Sequence, residues 1–327
     1  ITFTSLISSG DPTQGTTYTL MAVTALVLGG VKFSRDLLES ILENNWSISS
    51  VFSYDNSKKK FYSDFVSLEE ITNKFNVKHF KVDNINDKKN IETIREIKPD
   101  LILVMGWSQL LNNDILKIPK LGVIGSHPTE LPKYRGRAPI SWSILKGLKE
   151  SALTFFYIDE GIDDGDILDQ RKFKITDNDD ATSIYDKITE IGKIMILENL
   201  QLIRDGKIKK RKQNSAEFIE YWPKRKPEDG RIIWSKTAKE IHNLIRATTY
   251  PYPGAFTIFK NSVLKIWKSS YIDNDISEPG KIIGMNKNFL KVGTGKGTII
   301  LEKIDFEKDG MDMNKSFSKK DIGIYLN

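Results

Sequence analysis

Residues 121–140, LGVIGSHPTELPKYRGRAPI, put one of only three histidines, His127, between an apolar run and a proline-bracketed loop carrying Lys133, Arg135 and Arg137. Imidazole is the side chain whose charge changes near neutral pH, so a histidine at a strand end suits proton transfer. The neighbouring guanidinium and ammonium groups suit an anionic substrate. A second stretch, DEGIDDGDIL (159–168), packs five carboxylates into eight residues. Such charges repel one another and normally mark a solvated turn or a metal loop. The spacing is not that of a calcium-binding helix–loop–helix, and Gly161 and Gly165 predict a tight loop that turns one carboxylate inward. An imidazole and a carboxylate from two loops can form a pair in which one moves protons and the other fixes its ionisation. The alternative is a packed structural histidine above a solvated basic loop.

The elements that must position these residues read as an alternating series. AVTALVLGG (22–30) is an apolar run ending in two glycines, and a helical pattern with Leu37, Leu38, Ile41 and Leu42 on one side follows. Strand, glycine turn and helix open an α/β domain. The unit recurs as strand 47–53, helix 67–75, strand 78–82 and helix 87–97. LILVMGW (101–107) is the most strand-like run, its composition predicting a strand buried on both faces of a parallel sheet, and GVIGSH (122–127) reads as another strand. A short helix with loops lies between them. A helix over 138–147, a strand over 153–158 and a long amphipathic helix over 180–203 complete the first unit, with Ile184, Ile188, Ile191 and Met195 in one stripe. His127 thus falls at the carboxyl end of a central strand, where open α/β sheets place their ligand crevice.

At 327 residues the chain exceeds one ordinary core and predicts two domains. Residues 1–21 are rich in Ser, Thr and Gly, and the expectation is a flexible extension, with Met21 a candidate start. Residues 22–205 form the expected catalytic domain, 206–230 a charged, turn-rich linker, and 231–327 a small β-rich domain of short strands with glycine turns, preceded by a helix over 237–249. Absence of cysteine excludes thiolate catalysis, disulfides and Cys-based zinc sites. GGVKFS after the first strand is not GxGxxG, and no P-loop pattern occurs, which disfavours a dinucleotide or nucleoside-triphosphate site. Net charge is +6, from 49 basic and 43 acidic residues that intermingle, which favours a solvated surface over a nucleic-acid fold; the densest basic run spans 207–212. No run is apolar enough to predict a transmembrane helix, and a reducing, cytoplasmic setting is expected. Trp222, Trp234 and Trp267 are expected in cores rather than on a ligand.

These residues resemble the folate-dependent formyltransferases. The resemblance rests on His127-Pro128-Thr129-Glu130-Leu131-Pro132, on Tyr134-Arg135-Gly136-Arg137-Ala138-Pro139-Ile140, and on Gly161-Ile162-Asp163-Asp164-Gly165-Asp166-Ile167-Leu168. It extends more weakly to Arg246-Ala247 and Pro251-Tyr252-Pro253-Gly254-Ala255. It implies a Rossmann-like, mostly parallel sheet with helices on both faces and a small OB-like C-terminal domain. It implies formyl transfer from N10-formyltetrahydrofolate, as cosubstrate and without a metal, to a primary amine. The family's histidine maps onto His127 and its aspartate onto Asp163. The family's folate site maps onto Met105, Gly106, Trp107, Gln109 and Leu111, and onto Ile158, Gly161 and Ile162. One position departs: two residues before the histidine the family carries asparagine, whose amide helps hold the formyl oxygen, and this chain has Gly125. Losing one oxyanion donor costs about 2.7–4 kcal/mol in the transition state. Either another group supplies the contact, or the reaction is slow, or the chemistry has drifted; Gly125 would also widen the site for a bulky acceptor.

For the acceptor, the stretch 53–71, the RGRAP turn and YWPKRKPEDG (221–230) are most similar to enzymes acting on nucleotide-linked 4-amino-4-deoxy sugars, with Lys133, Arg135 and Arg137 placed to neutralise the diphosphate. Methionyl-tRNA is the second expectation, supported by the lysines at 58–60 and the basic run at 207–212. A folate- or nucleotide-binding protein with weak or lost turnover is the third, for which Gly125 speaks. A homodimer is a candidate assembly, and no membrane partner is expected.

Overall fold

A computed structural model describes residues 23–55, 64–273, 278–306 and 317–327. The expected extension over 1–21 and the lysines at 58–60 lie outside the described residues. Strands β1 (Ala25–Leu28), β2 (Ile48–Tyr54), β3 (Lys78–Val82), β4 (Leu101–Val104) and β5 (Val123–His127) pair in parallel. Two further strands, β7 (Glu150–Tyr157) and β8 (Ile167–Lys174), extend the sheet antiparallel beside β5, giving seven strands in the order β3-β2-β1-β4-β5-β7-β8.

The central strands β1 and β4 are uniformly apolar because both faces are covered. Ala25 and Val27 of β1 pack in one cluster with Leu37, Leu38 and Ile41 of helix α1 (Lys32–Glu43) and with Ile184 and Ile188 of helix α6 (Ala181–Arg204). Leu26 and Leu28 face the other way, toward Ile91 and Ile94 of helix α3 (Lys88–Ile97) and Ile115 of the short helix α4 (Asn113–Leu116). Period-two alternation thus sends side chains into two cores rather than into core and water. Helix α2 (Glu69–Lys74) adds Ile71 to the first cluster. Strand order reverses direction between β1 and β4, and β5 is next in line, so the carboxyl ends of β4 and β5 sit beside the switch point.

Helix α5 (Pro139–Leu145) and helix α7 (Ala238–Thr248) join the two domains. Ser141 Oγ donates to the Ala247 carbonyl at 2.9 Å. The buried Arg246 guanidinium donates to the carbonyls of Thr176 at 3.1 Å and Asp179 at 2.7 Å. In the second domain β10 (Ala255–Phe259), β11 (Ser262–Ile272), β14 (Thr298–Phe306), β13 (Leu290–Gly293) and β12 (Ile282–Met285) lie in that order as an antiparallel sheet. The chain end closes it: Ile282 N donates to the Ile324 carbonyl, and Ile258 and Asn327 exchange backbone hydrogen bonds. The result is a small barrel around Ile266, Val292, Ile299 and Leu301, with Trp234 buried and its indole N–H on Thr257 Oγ1 at 3.0 Å. Trp222 is likewise buried, whereas Trp267 is half-buried and stacks on Tyr250.

Three strands depart from the sequence reading. β8 carries Asp169, Gln170, Arg171, Lys172 and Lys174, charges typical of a sheet edge, and so lacks an apolar pattern. Strands β6 (Tyr134–Gly136) and β9 (Glu220–Trp222) are three residues each and pair with one another in parallel. The segment expected as a linker therefore runs back over the catalytic domain: Arg211 bridges Ile167 by two backbone hydrogen bonds, and β9 clasps the loop after His127.

Candidate active site

His127 ends β5, opposite Thr154 of β7, and only 6% of its surface is exposed. The loop after it is pinned from below. Thr154 Oγ1 donates to the Thr129 carbonyl at 2.6 Å, and Gln170 Nε2 donates to the Leu131 carbonyl at 2.9 Å and to Thr154 Oγ1 at 2.8 Å. A cis bond joins Leu131 to Pro132. The chain then turns into β6, where Gly136 has φ +103° and its missing Cβ would stand 2.4 Å from the Trp222 carbonyl oxygen. Only glycine fits that approach.

The backbone N–H of Gly136 donates to Asp163 Oδ2 at 2.8 Å, and the same oxygen lies 3.8 Å from His127 Nδ1. The two residues singled out in the sequence, 36 positions apart, therefore face one another. At 3.8 Å they are beyond direct hydrogen bonding. A shift of about 0.8 Å closes the gap, and catalytic hydrogen bonds commonly tighten when substrate binds. His127 Nε2 is buried and has no hydrogen-bond partner among the described residues. Asp163 holds φ +52°, the left-handed region that aspartate tolerates better than most residues and that concentrates at functional sites.

The acidic loop separates its charges unequally. Burial, together with a hydrogen bond that its protonated form donates to the neighbouring Asp164 carboxylate, pushes the Asp159 carboxyl above its ordinary range. Gly161 admits Asp164, whose Oδ2 would lie 2.0 Å from a Cβ there, and Gly165 sits against the Tyr157 carbonyl. Ile162 is exposed. Asp163 alone of the five carboxylates is the one whose oxygen reaches His127.

The loop after β4 runs beside this pair. Gly106 has φ +61° and lies against Val31, where a Cβ would be 2.3 Å from Cγ2. Trp107 stacks on Tyr54 at 4.0 Å with its indole N–H buried and unpartnered among the described residues. Gln109 is tied to the loop that follows β3, accepting from Ile85 N at 2.9 Å and donating to the Asp83 carbonyl at 2.6 Å. Met105 is buried and Leu111 half-buried.

Gly125 does not open a void. A Cβ there would stand 2.8 Å from Ile158 Cδ1 and 3.3 Å from Phe156 Cε1, so Ile158 occupies the volume that a side chain at 125 would need. The expected widening of the site at this position is not what the packing provides. The basic trio is also dispersed in role. Lys133 pairs with Glu130 at 3.0 Å. Arg135 is 9% exposed; its guanidinium donates to Gln213 Oε1 at 2.9 Å and lies over the Phe218 ring at 5.4 Å. Arg137 is exposed. Gln213 was not legible as a site residue, since it sits alone in a charged run; nothing but the fold brings it to the acidic loop.

The profile described as Formyl transferase matches residues 21–200, and that described as Formyl transferase, C-terminal domain, matches residues 224–320. The chain belongs to the formyltransferase family. Formyl-group transferase chemistry is thus the activity of the fold just described. A methionyl-tRNA formyltransferase of Alkaliphilus oremlandii (strain OhILAs) is 34% identical over 284 residues, covering 86% of this chain and 91% of the relative. Another, of Clostridioides difficile (strain 630), is 35% identical over 270 residues, 82% of this chain and 87% of the relative. Among solved structures, WlaRD, a sugar 3N-formyl transferase crystallised with dTDP and 5-N-formyl-THF, superposes with TM-score 0.64 at 25% identity, covering 88% of this chain and 99% of its own. An N-formyltransferase of Helicobacter canadensis shares the fold at TM-score 0.65 and 24% identity, covering 86% of this chain and 99% of its own. Among the described residues no helix is long and apolar enough to cross a membrane.

Proposed function

We propose that this formyltransferase moves the formyl group of N10-formyltetrahydrofolate to the α-amino group of a methionyl-tRNA, with His127 and Asp163 as its proton-handling pair. The observation that carries the chemistry is the imidazole and carboxylate 3.8 Å apart at the end of β5, with the outer imidazole nitrogen buried and unpartnered. The residues fit a formyl-bearing folate: a buried, unsatisfied Nε2 awaits a polar atom, and so does the indole N–H of Trp107 on the adjacent loop. Met105, Gly106, Trp107 and Leu111, with Ile158, Gly161 and Ile162 across from them, are the proposed walls of that pocket.

The folate supplies the formyl group. His127 Nε2 is placed to stabilise the formyl oxygen as it gains charge, or to relay a proton. The attacking amine must be neutral and sheds one proton as its bond to the formyl carbon forms. Asp163, held by the Gly136 N–H, is the acceptor for that proton, and the departing folate nitrogen takes one in return. No side chain stands at Gly125 to help hold the oxygen, so more of that task falls on His127.

Two observations favour tRNA. The two relatives described above, at 34% and 35% identity, are methionyl-tRNA formyltransferases matched over nearly their whole length. The exposed run Lys207, Lys209, Arg211 and Lys212 passes beside the loop that carries Asp163, through the Arg211–Ile167 bridge, where it can meet phosphates. A nucleotide-linked amino sugar, the first expectation from sequence, is the second reading, favoured by the likeness to WlaRD. Against it, Lys133 and Arg135 of its expected diphosphate cluster are already engaged.

The deciding assay supplies N10-formyltetrahydrofolate with charged initiator tRNA and, separately, with a panel of amino-sugar nucleotides. Formylation of tRNA with strong salt dependence is expected; formylation of a sugar alone overturns the acceptor. His127→Ala should lower turnover by about 100-fold or more, and a wild-type rate would remove the proposed chemistry.

A further inference from the structure

We infer that Gln213, in the segment returning from α6, is a positioning residue that holds Asp163 in its working conformation. The inference rests on the reading of Asp163 as proton acceptor. Gln213 Nε2 donates to two carbonyls, those of Asp163 and Gly165, each at 2.8 Å. Its Oε1 accepts from Arg135 Nη2 at 2.9 Å. An amide is the group this geometry requires. The guanidinium can only donate and the two carbonyls can only accept, so one planar unit must accept at one end and donate twice at the other. A carboxylate would turn an oxygen on the two carbonyls, and asparagine is one methylene short.

The loop needs such a restraint. Its five carboxylates repel one another, and Asp163 sits at φ +52°, a conformation that persists only when its surroundings impose it. Asp163 is gripped from both sides: its side chain by the Gly136 N–H at 2.8 Å and its backbone carbonyl by Gln213. Both grips originate in the β6–β9 ladder. Gly136 lies on β6, and Arg135, its neighbour, holds Gln213 while pairing in register with Tyr221 of β9. Arg135 is anchored by Phe218 beneath the guanidinium and by Tyr221 Oη at 3.4 Å. The chain thus couples the motif around Tyr134–Gly136 to the acidic loop through one amide contributed by a third segment.

The test is a double-mutant cycle on the full chain, with kcat and the KM for the folate measured for Gln213→Ala, Asp163→Asn and the pair. Misplacing a reacting group by about 1 Å costs about 100-fold, so Gln213→Ala should lower kcat by about 10- to 100-fold with little change in KM. In the Asp163→Asn background the same change should cost nothing further, since the group it positions is gone. Multiplicative losses would mean that Gln213 supports the fold in general, and the inference falls. Full activity of Asp163→Asn would instead sink the assignment of Asp163 itself. Gln213→Glu, close to isosteric, guards against a folding defect. It should be as slow as Gln213→Ala, and it should move the acid limb of the kcat/KM profile to higher pH, because an added carboxylate disfavours ionisation of another nearby. A wild-type rate and profile in Gln213→Glu overturns the positioning role.

Discussion

Replacing Gly125 by asparagine restores the side chain that the family carries two residues before its histidine, and the packing around Ile158 decides whether that side chain can act. A Cβ at 125 would stand 2.8 Å from Ile158 Cδ1 and 2.9 Å from Cγ1. Carbon atoms rest at about 3.5–4.0 Å, so the overlap is at least about 0.6 Å before the amide is even placed. Ile158 must leave its rotamer, and overpacking of this kind costs about 1–3 kcal/mol. Gly125→Asn alone should therefore lower stability by that amount and give no faster reaction. Trimming the obstacle with Ile158→Ala makes room. In the double variant the new amide can reach the formyl oxygen, and one such donor is worth at most about 2.7–4 kcal/mol, or 100- to 1,000-fold in kcat. A realistic gain is a fraction of that, since the surroundings were not built for it. Urea unfolding and single-turnover formyl transfer measure the two effects. The reasoning fails if Gly125→Asn is as stable as the parent, or if the double variant is no faster than Ile158→Ala alone.

At the domain junction, burial opposes ionisation of Asp179, but hydrogen bonds from Lys187, Thr176 and Ser183 overcome it and hold the carboxyl at about 2. Against an ordinary value of 3.8, that is worth roughly 2 kcal/mol, present above pH 3.8 and lost as pH falls toward 2. Asp179→Asn should thus destabilise by about that much at pH 7, with the difference shrinking below pH 3 in urea melts; a pH-independent gap refutes the linkage. Gly136→Ala should cost at least 1–3 kcal/mol, roughly, from its φ of +103° alone, and more from the Trp222 contact. It should also lower kcat by releasing Asp163. Parental Tm and rate together would show that β6 and β9 are not clasped in solution.

Much of the architecture was legible in the chain because it is locally encoded. Uniformly apolar runs bounded by glycine announced β1, β4 and β5, and period-3.6 stripes announced α1 and α6. His127 and the acidic loop stood out because a strand end and a glycine-flanked run of carboxylates are patterns that a one-dimensional reading can recognise, whereas Asp163 within that loop was singled out by the resemblance to the formyltransferases. The position of Gly125 was visible as well, but its meaning was not. That Ile158 fills the space is a consequence of the antiparallel ladder of β5 and β7, in which Gly125 pairs with Phe156 and Ile158, just past β7, donates its N–H to the Val123 carbonyl.

The remaining features belong to the tertiary structure, for one physical reason: a hydrogen bond between distant segments leaves no periodic trace in either. Strands β6 and β9 are too short to show alternation, and their pairing joins residues 86 positions apart. Arg135 reads as a cation facing the substrate diphosphate or solvent until Phe218, Tyr221 and Gln213 enclose it. The sequence by itself determined the central sheet, the β-rich second domain and the histidine at the end of β5. Only the folded chain decided which carboxylate meets the imidazole, and that the apparent linker is the strap that keeps it there, because backbone groups must be satisfied wherever the chain passes.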